Sequence, residues 1–581
     1  MLRVAERSRL SLVVLQRGMR QLASRLAHPL VRWRLMPSKT DRLVIAPQDL
    51  RTADATRAGE IYSGRFVFAG KIVVCDGRSP FEMSPISDEW ARALLGFGWL
   101  RHLKAADSGI TRANARALID DWIRLHGRWH ALAWRTDVLS RRIISWLSHA
   151  PLVLTDADLQ FYRRYLRSLS RQVRFLRRRL DDAPDGVVRL QALIALTAAA
   201  LCMAGQTGQL RATLRRLVDE LDRQILPDGG HISRNPQVLV ELLLDLLPLR
   251  QVLASRNVAP PQAMLNAIDR MMPMLRFFRH GNGDFAHFNG VGPTAPELVA
   301  TVLAYDDARG TPVANAAHSG YQRVEAGGSL VLMDTGKPPP MSVSREAHAG
   351  CLSFEFSVGH QRVIVNCGLP ANSQEAWRQV ARATAAHSTV VFNDVSSCRF
   401  LESVSFKRLF AGSPIIAGPN HVAVAREEPN GGLMVRASHD GYAERFGVIH
   451  QRALMLTVDG SRLEGEDVFT PSDGDTLPRE DEFTIRFHLH PSIRATRLID
   501  GHGVMLVMPD RDVWTFTAYE DLVELEESVY LAGRDGPRRT LQMVIYGRAR
   551  KVPRVHWCFT HRHPAAAEID AGPDEQPELP L

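Results

Sequence analysis

Cysteine is scarce and scattered. Six residues, Cys75, Cys202, Cys351, Cys367, Cys398 and Cys558, lie among 581 with no CxxC pair and no zinc-ribbon spacing. That excludes a disulfide framework and a cysteine-based metal site. No window approaches the roughly 18 uninterrupted apolar residues that a membrane-spanning helix requires. Acidic residues are missing where they would balance two basic stretches: residues 1–40 hold nine Arg or Lys against Glu6, and Phe161–Leu180 holds eight Arg and no acid. At 45% hydrophobic and 23% charged, the composition is that of a globular protein rather than a disordered or fibrous one. The length calls for more than one domain, each burying its own core.

The formal charge of +9 biases the chain toward anionic partners without naming one. In the second basic stretch Tyr162, Tyr165, Leu166, Leu169, Val173 and Leu176 recur at helical spacing, which predicts an amphipathic helix with an arginine-rich outer face. Nucleic acid is not the expected partner, since no RNP aromatics, zinc knuckle or KH-type loop accompanies the charge. Near the N-terminus the apolar run Leu10–Leu15 follows Arg3, Arg7 and Arg9 but stops short of a signal-peptide core and is followed by Arg17 and Arg20. Residues 7–35 therefore read as a basic amphipathic segment suited to peripheral membrane contact, not as a cleavable signal.

Apolar spacing is helical from about residue 86 to 305. Helices are expected at Asp88–Leu103, Thr111–His126, Arg135–Ser148, Asp156–Leu180, Val187–Ala204, Gln209–Gln224, Pro236–Ser255 and Pro261–Arg279, with caps at Ser87 and Thr155. A small hairpin is expected around Ala69-Gly70. Beyond about residue 318 the period changes to two, and a dozen strand candidates without intervening helices imply antiparallel sheets stacked as a sandwich. Domains are placed at 1–45 (basic segment), 46–315 (all-α), 316–563 (β-sandwich) and 564–581, a tail with five acids, no base and four prolines that is expected to be disordered.

Three segments carry a resemblance: His348-Ala-Gly-Cys-Leu-Ser-Phe-Glu-Phe356, Arg362-Val-Ile-Val-Asn-Cys-Gly368 and Arg382-Ala-Thr-Ala-Ala-His-Ser-Thr-Val390. Phe487-His-Leu-His-Pro491, Glu527-Ser-Val-Tyr530 and Gln542-Met-Val-Ile545 continue it. In the helical part it extends through Trp134-Arg-x-Asp137, Arg142, Trp146 and Pro227-Asp-Gly-Gly-His-Ile-Ser-Arg-Asn-Pro236. In this order the chain resembles the heparinase II/III family of bacterial polysaccharide lyases, with patterns like H-A-D-x-L-S-F, V-D-x-G and R-x-x-x-A-H-N-T-V, over most of residues 50–563.

The resemblance implies an incomplete (α/α) toroid followed by an antiparallel β-sandwich, an acidic uronate-containing glycan as partner, and cleavage by β-elimination with no required cofactor. Elimination needs a neutraliser for the C5 carboxylate, a base for the neighbouring proton and an acid for the leaving O4. The expected catalytic residues are His231, Asn235, His280 and His348. Arg234, His287, Glu346 and Arg382 are expected to bind substrate, and His231, Arg234, Asn235, His280, His348 and His387 are expected to converge where toroid meets sandwich. Asn235 and Pro236 are equally suited to capping a helix entry. His348 and His387 match two family histidines that hold a structural zinc in some members, with Asn366 standing at the third, aspartate position. Four departures fall at the chemistry: Val238 and Leu239 replace a Tyr-His pair, Gly350 replaces the D of H-A-D, Asn366 replaces an aspartate, and Glu346 stands where a second histidine is common. The alternative to a lyase is a non-catalytic protein that binds an acidic cell-envelope polysaccharide. By resemblance the location is cell envelope or periplasm; the lack of a signal core leaves cytoplasm as the alternative.

Overall fold

The computed structural model describes residues 42–562 apart from 307–310, 372–374, 403–411, 430, 475 and 478–479. The basic N-terminal segment, including residues 7–35, lies outside the described residues, except for its last four positions, and so does the acidic tail 564–581.

A short helix, Thr56–Tyr62, and a hairpin precede the helical layer. The hairpin pairs Arg65 with Val74 through Phe68 with Lys71. Its turn is the expected Ala69-Gly70, both at positive φ (48° and 68°), the left-handed geometry that matches strand twist in two-residue hairpins. The helices Asp88–Gly96, Leu100–Ala106, Gly109–His126, Thr136–Ser148, Leu159–Arg179, Val187–Cys202, Leu210–Gln224, Gln237–Ser255 and Gln262–Phe277 then follow with short connections. The continuous helix expected over Asp88–Leu103 is broken at Phe97, whose φ of 57° turns the chain so that its ring can enter the core among Phe81, Trp99, Trp122 and Trp146. Ser87 caps as expected, accepting from the Trp90 amide. The second cap is Asp158 rather than Thr155: Asp158 accepts from the Phe161 amide, while the Thr155 hydroxyl donates back to the Pro151 carbonyl.

The arginine helix Leu159–Arg179 buries Phe161, Tyr165, Leu169, Val173 and Leu176 and leaves Arg163, Arg167 and Arg178 exposed. Behind it Arg142 is wholly buried, donating to Gln172 Oε1 and to the carbonyls of Leu95 and Ala133, with its guanidinium 4.1 Å from the Trp122 ring centre.

From Asn315 the chain is almost entirely antiparallel strands in two large sheets, one of nine strands and one of eight. The first contains Tyr321–Ala326, Ser329–Asp334, Phe354–Val358, Gln361–Val365 and Glu482–Leu489; the second contains Val448–Thr457, Arg462–Pro471, Val513–Ala518 and Arg554–Arg562. Their inner faces interdigitate through Phe354, Phe356 and Phe487 from one sheet and Phe516, Trp557 and Phe559 from the other, with Phe354 stacked on Trp557 at 5.5 Å. The single strand expected over Leu352–Asn366 is a hairpin that turns at Gly359. One carboxylate lies inside this sandwich: Asp467 receives Arg452 through both oxygens (2.8 and 2.9 Å), His450 Nε2 (2.7 Å) and Trp557 Nε1 (3.0 Å). A buried charge so fully partnered fixes the register of the strands around it.

Candidate functional site

Two polar constellations occur near the toroid. The first lies where helices meet sandwich, and it gathers most of the residues singled out from the sequence. Strand Phe354–Val358 carries Glu355 inward, with no exposed surface. Glu355 Oε1 accepts from the backbone amides of His287 (2.9 Å) and Asn366 (3.0 Å), and Oε2 accepts from His280 Nε2 (3.0 Å) and from the Arg362 guanidinium. Burial pushes this carboxyl up, but Arg362 and the His280 hydrogen bond outweigh burial, so its pKa falls well below the usual range. His280 Nδ1 is engaged by the Ser357 hydroxyl at 2.8 Å. Burial lowers the pKa of His280, and that of His287 to about 3.

A second knot joins the same boundary. Arg234, in the left-handed region at φ 61°, donates to Asp334 Oδ1 and to the carbonyls of Ser319, Gly320, Gly336 and Lys337. Asn289 donates to Asp334 Oδ2 (3.1 Å) and to Tyr321 Oη (2.7 Å), and its Oδ1 accepts from the His348 amide (3.2 Å). Asn235 is half-buried and accepts from the Gln237 amide at 2.9 Å, so it caps the helix entry. A Cβ at Gly290 would lie 3.1 Å from Asn235 Nδ2 and 3.2 Å from Glu346 Cβ. Only glycine lets these two residues approach at this point. The half-buried Glu346 is paired with Arg345 (3.3 Å) and Arg378 (3.4 Å).

The structure thus brings Asn235, Arg234, His280, His287, Glu346, His348, His387 and Asn366 to one boundary. His231 packs within the toroid, and Arg382 supports the backbone of the Glu346–His348 segment from behind. His231, 2% exposed, is held by Gln224 Oε1 (2.8 Å) and the Ser233 hydroxyl (2.7 Å), and burial lowers its pKa to about 3. Arg382 is buried against the carbonyls of Ala347, Ser413 and Ser344. His231, His280, His287, Arg234 and Arg382, expected to contact substrate, are each enclosed with polar atoms turned to protein.

The residues expected to hold zinc are likewise engaged by protein. His387 Nδ1 faces the Ala383 carbonyl at 2.8 Å, so that nitrogen carries the proton. Its bare Nε2 then accepts from His348 Nδ1 at 3.0 Å. Both imidazoles are held neutral by burial, His387 with a pKa near 4. Asn366 Oδ1 is occupied by the Ser388 amide and its Nδ2 points to Glu355. A side chain at Gly350 would meet His387 Cδ2 at 2.7 Å. Two imidazoles spent on each other, an amide turned away and no room for a carboxylate do not fit a zinc ion. No cluster of three or more His, Cys, Asp or Glu able to hold a metal occurs among the described residues.

The other constellation was not anticipated from sequence. A cavity of about 350 Å³ opens inside the toroid between Arg141, Gln191, Gln237 and Glu241 on three helices and the segment Phe285–Val299, with Arg51 beside it. Arg141 grips Asp245 through both oxygens (2.9 and 2.6 Å), and Arg51 adds a third bond (2.9 Å). Burial opposes ionisation of Asp245, yet the two guanidiniums hold its pKa to about 2. Glu241, one turn earlier, lines the cavity with exposed surface and with no hydrogen bond or ion pair of its own. The missed signal was a pair of acids at i and i+4 on the otherwise apolar helix Gln237–Ser255.

The heparinase II/III-like C-terminal domain model matches residues 308–558. FtsZ-localized protein C of Caulobacter vibrioides is 33% identical over 497 residues, 84% of this chain and 84% of that protein. The chain belongs to the heparinase II/III family. Among solved structures, heparinase III superposes with a TM-score of 0.68 at 12% identity, covering 97% of this chain and 94% of that one. The heparan sulfate lyase HepC from Pedobacter heparinus gives 0.58 at 14%, covering 88% and 84%. At such identities the likeness is one of fold: this heparinase II/III protein has the toroid-and-sandwich architecture of polysaccharide lyases. No helix among its described residues is long and apolar enough to cross a membrane.

Proposed function

We propose that this protein is a non-cleaving member of its family, a glycan-binding protein on a lyase fold that, like the Caulobacter relative, localises with FtsZ. One observation carries the reading: the histidines expected to move protons are buried and held neutral, and His231 and His280 have both ring nitrogens engaged by protein. His348 has a free Nε2, but that atom is sealed from solvent. The tyrosine that would serve as base is replaced by Val238 and Leu239. Of the residues expected to act on substrate, those that keep exposed surface at the boundary are an amide, Asn235, and a carboxylate, Glu346, the latter paired with Arg345 and Arg378. These cannot both neutralise a uronate and supply a base and an acid around it. The 33% identical relative, named for its location rather than an activity, supports the same reading.

The test is incubation of the full-length protein with a panel of uronate polymers, followed by near-ultraviolet absorbance for the C4=C5 double bond conjugated to the carboxylate. No new absorbance is expected, and a fluorescent fusion is expected to co-localise with FtsZ. Appearance of the unsaturated product would establish uronate lyase activity instead.

A further inference from the structure

At the boundary the unspent His348 Nε2 is sealed from solvent, whereas the toroid cavity has an unspent carboxyl beside open space, and its chemistry specifies a ligand. At about 350 Å³ it falls within the range of small-molecule sites and accommodates roughly one to two pyranose rings. One wall presents planar groups with several donors and acceptors each: Gln191, Gln237, Glu241, Arg51 and Arg141. The opposite wall is apolar, formed by Phe285, Val291, Leu298 and Val299. A face of hydroxyls and a face of C–H groups match such a pair of walls.

Charge then divides the candidate ligands. Arg51 and Arg141 converge on Asp245 at 2.6 to 2.9 Å, and Arg51 also pairs with Asp49 at 3.5 Å, so the two cations are matched by two carboxylates. A ligand carboxylate or sulfate would find no unanswered cation, and it would lie against Glu241, whose solvent-exposed carboxylate carries the same charge. An ammonium would gain Glu241 but meet both guanidiniums. A hydroxyl suffers neither conflict, since it donates to a carboxylate and accepts from an amide or guanidinium. We infer that this cavity is a binding site for an uncharged, hydroxyl-rich sugar unit carrying a small apolar substituent, of the N-acylated hexosamine class, with Glu241 as the residue that rejects uronates. The inference rests on the non-cleaving reading and specifies what is bound.

The experiment uses full-length protein and two probes of equal size, an N-acetylglucosamine disaccharide and a glucuronate-containing disaccharide, with affinity read by titration calorimetry or ligand-observed NMR. The neutral probe is expected to bind at least about tenfold more tightly than the uronate, the scale of one hydrogen bond to a charged group against one unpaired charge. Glu241→Gln removes the repulsion but keeps the shape, so it is expected to bring the uronate to within a few-fold of the neutral probe. Ala295→Phe, at the half-exposed start of the last toroid helix, is expected to abolish binding of both while leaving the thermal midpoint in place. If it lowers that midpoint, Glu241→Gln alone decides. The inference is overturned if neither probe binds, if the uronate binds as well as the neutral sugar, or if Glu241→Gln leaves the preference unchanged. An unsaturated product from any polymer would overturn the non-cleaving reading, and it would leave the measured sugar preference of the cavity standing.

Discussion

The boundary network and the toroid cavity are both rich in charge, yet they are opposites in saturation. At the boundary Glu355 has a donor at every lone pair, and the arginines and histidines around it are turned inward. In the cavity Asp245 is equally saturated, but Glu241, one helical turn away, is left facing open space. Saturated polar clusters fix how two layers of structure sit against each other; an unsaturated group beside a void is available to something else. The residues that look most like lyase chemistry are in the first class.

The sharpest way to break the comparison is to remove a saturating partner. Glu355→Ala leaves Arg362 charged and buried without its counter-ion, and a loss of about 3 to 5 kcal/mol in unfolding free energy is expected. Denaturant titration of the purified variant measures it, and a loss under about 1 kcal/mol would show that the network is not saturated as described.

Acidity gives the next effect. Burial holds the folded pKa values of His231, His287 and His387 near 3, 3 and 4, whereas the unfolded chain takes up these protons near pH 6.5. In that window the unfolded state binds more protons. Stability is therefore full above about pH 6.5 and is lost as pH falls toward 4, by up to about 1.4 kcal/mol per pH unit for each histidine. Glu355 and Asp467, ionised in the fold, add their own loss only below about pH 4.5. Unfolding midpoints measured at steps from pH 7.5 to 4.5 should therefore fall before carboxylates titrate.

Smaller still is the response to Gly350→Asp, where overpacking against His387 is expected to cost about 1 to 3 kcal/mol without creating zinc affinity, as read by thermal shift with and without added zinc. At the bottom of the scale, Glu241→Gln is expected to change stability by no more than about 0.5 kcal/mol, since no protein group depends on that carboxyl. EDTA is expected to leave the unfolding midpoint of the native protein unmoved.

The layers of the fold were legible because periodicity is local. The shift from helical to alternating spacing near residue 315 lies between the last toroid helix, Pro296–Leu303, and the first strand of the large sheets, Asn315–Ala316. Phe97 and Gly359 escaped because a single residue in left-handed geometry splits an element without disturbing its apolar pattern. The convergence of Arg234, Asn235, His280 and His348 was also legible, since family order carries it. What could not be read was saturation. That His280 meets Glu355, or Arg234 meets Asp334, depends on pairings 75 and 100 residues apart in sequence, and no spacing rule reports whether a polar atom ends against protein or against space. Glu241 was overlooked for the converse reason, being one acid in a helix that otherwise reads as core.

The His348 and His387 pair also bears on what a single substitution at Gly350 can achieve. Because the His387 ring occupies the space above Gly350, with Cδ2 only 2.7 Å from where a Cβ would stand, an aspartate cannot be placed at that position until the ring has swung away. The ring cannot swing while its Nδ1 is tied to the Ala383 carbonyl and its Nε2 to His348. A carboxylate at position 350 and a freed His387 ring are therefore coupled changes: either one alone carries its cost without assembling a set of metal ligands.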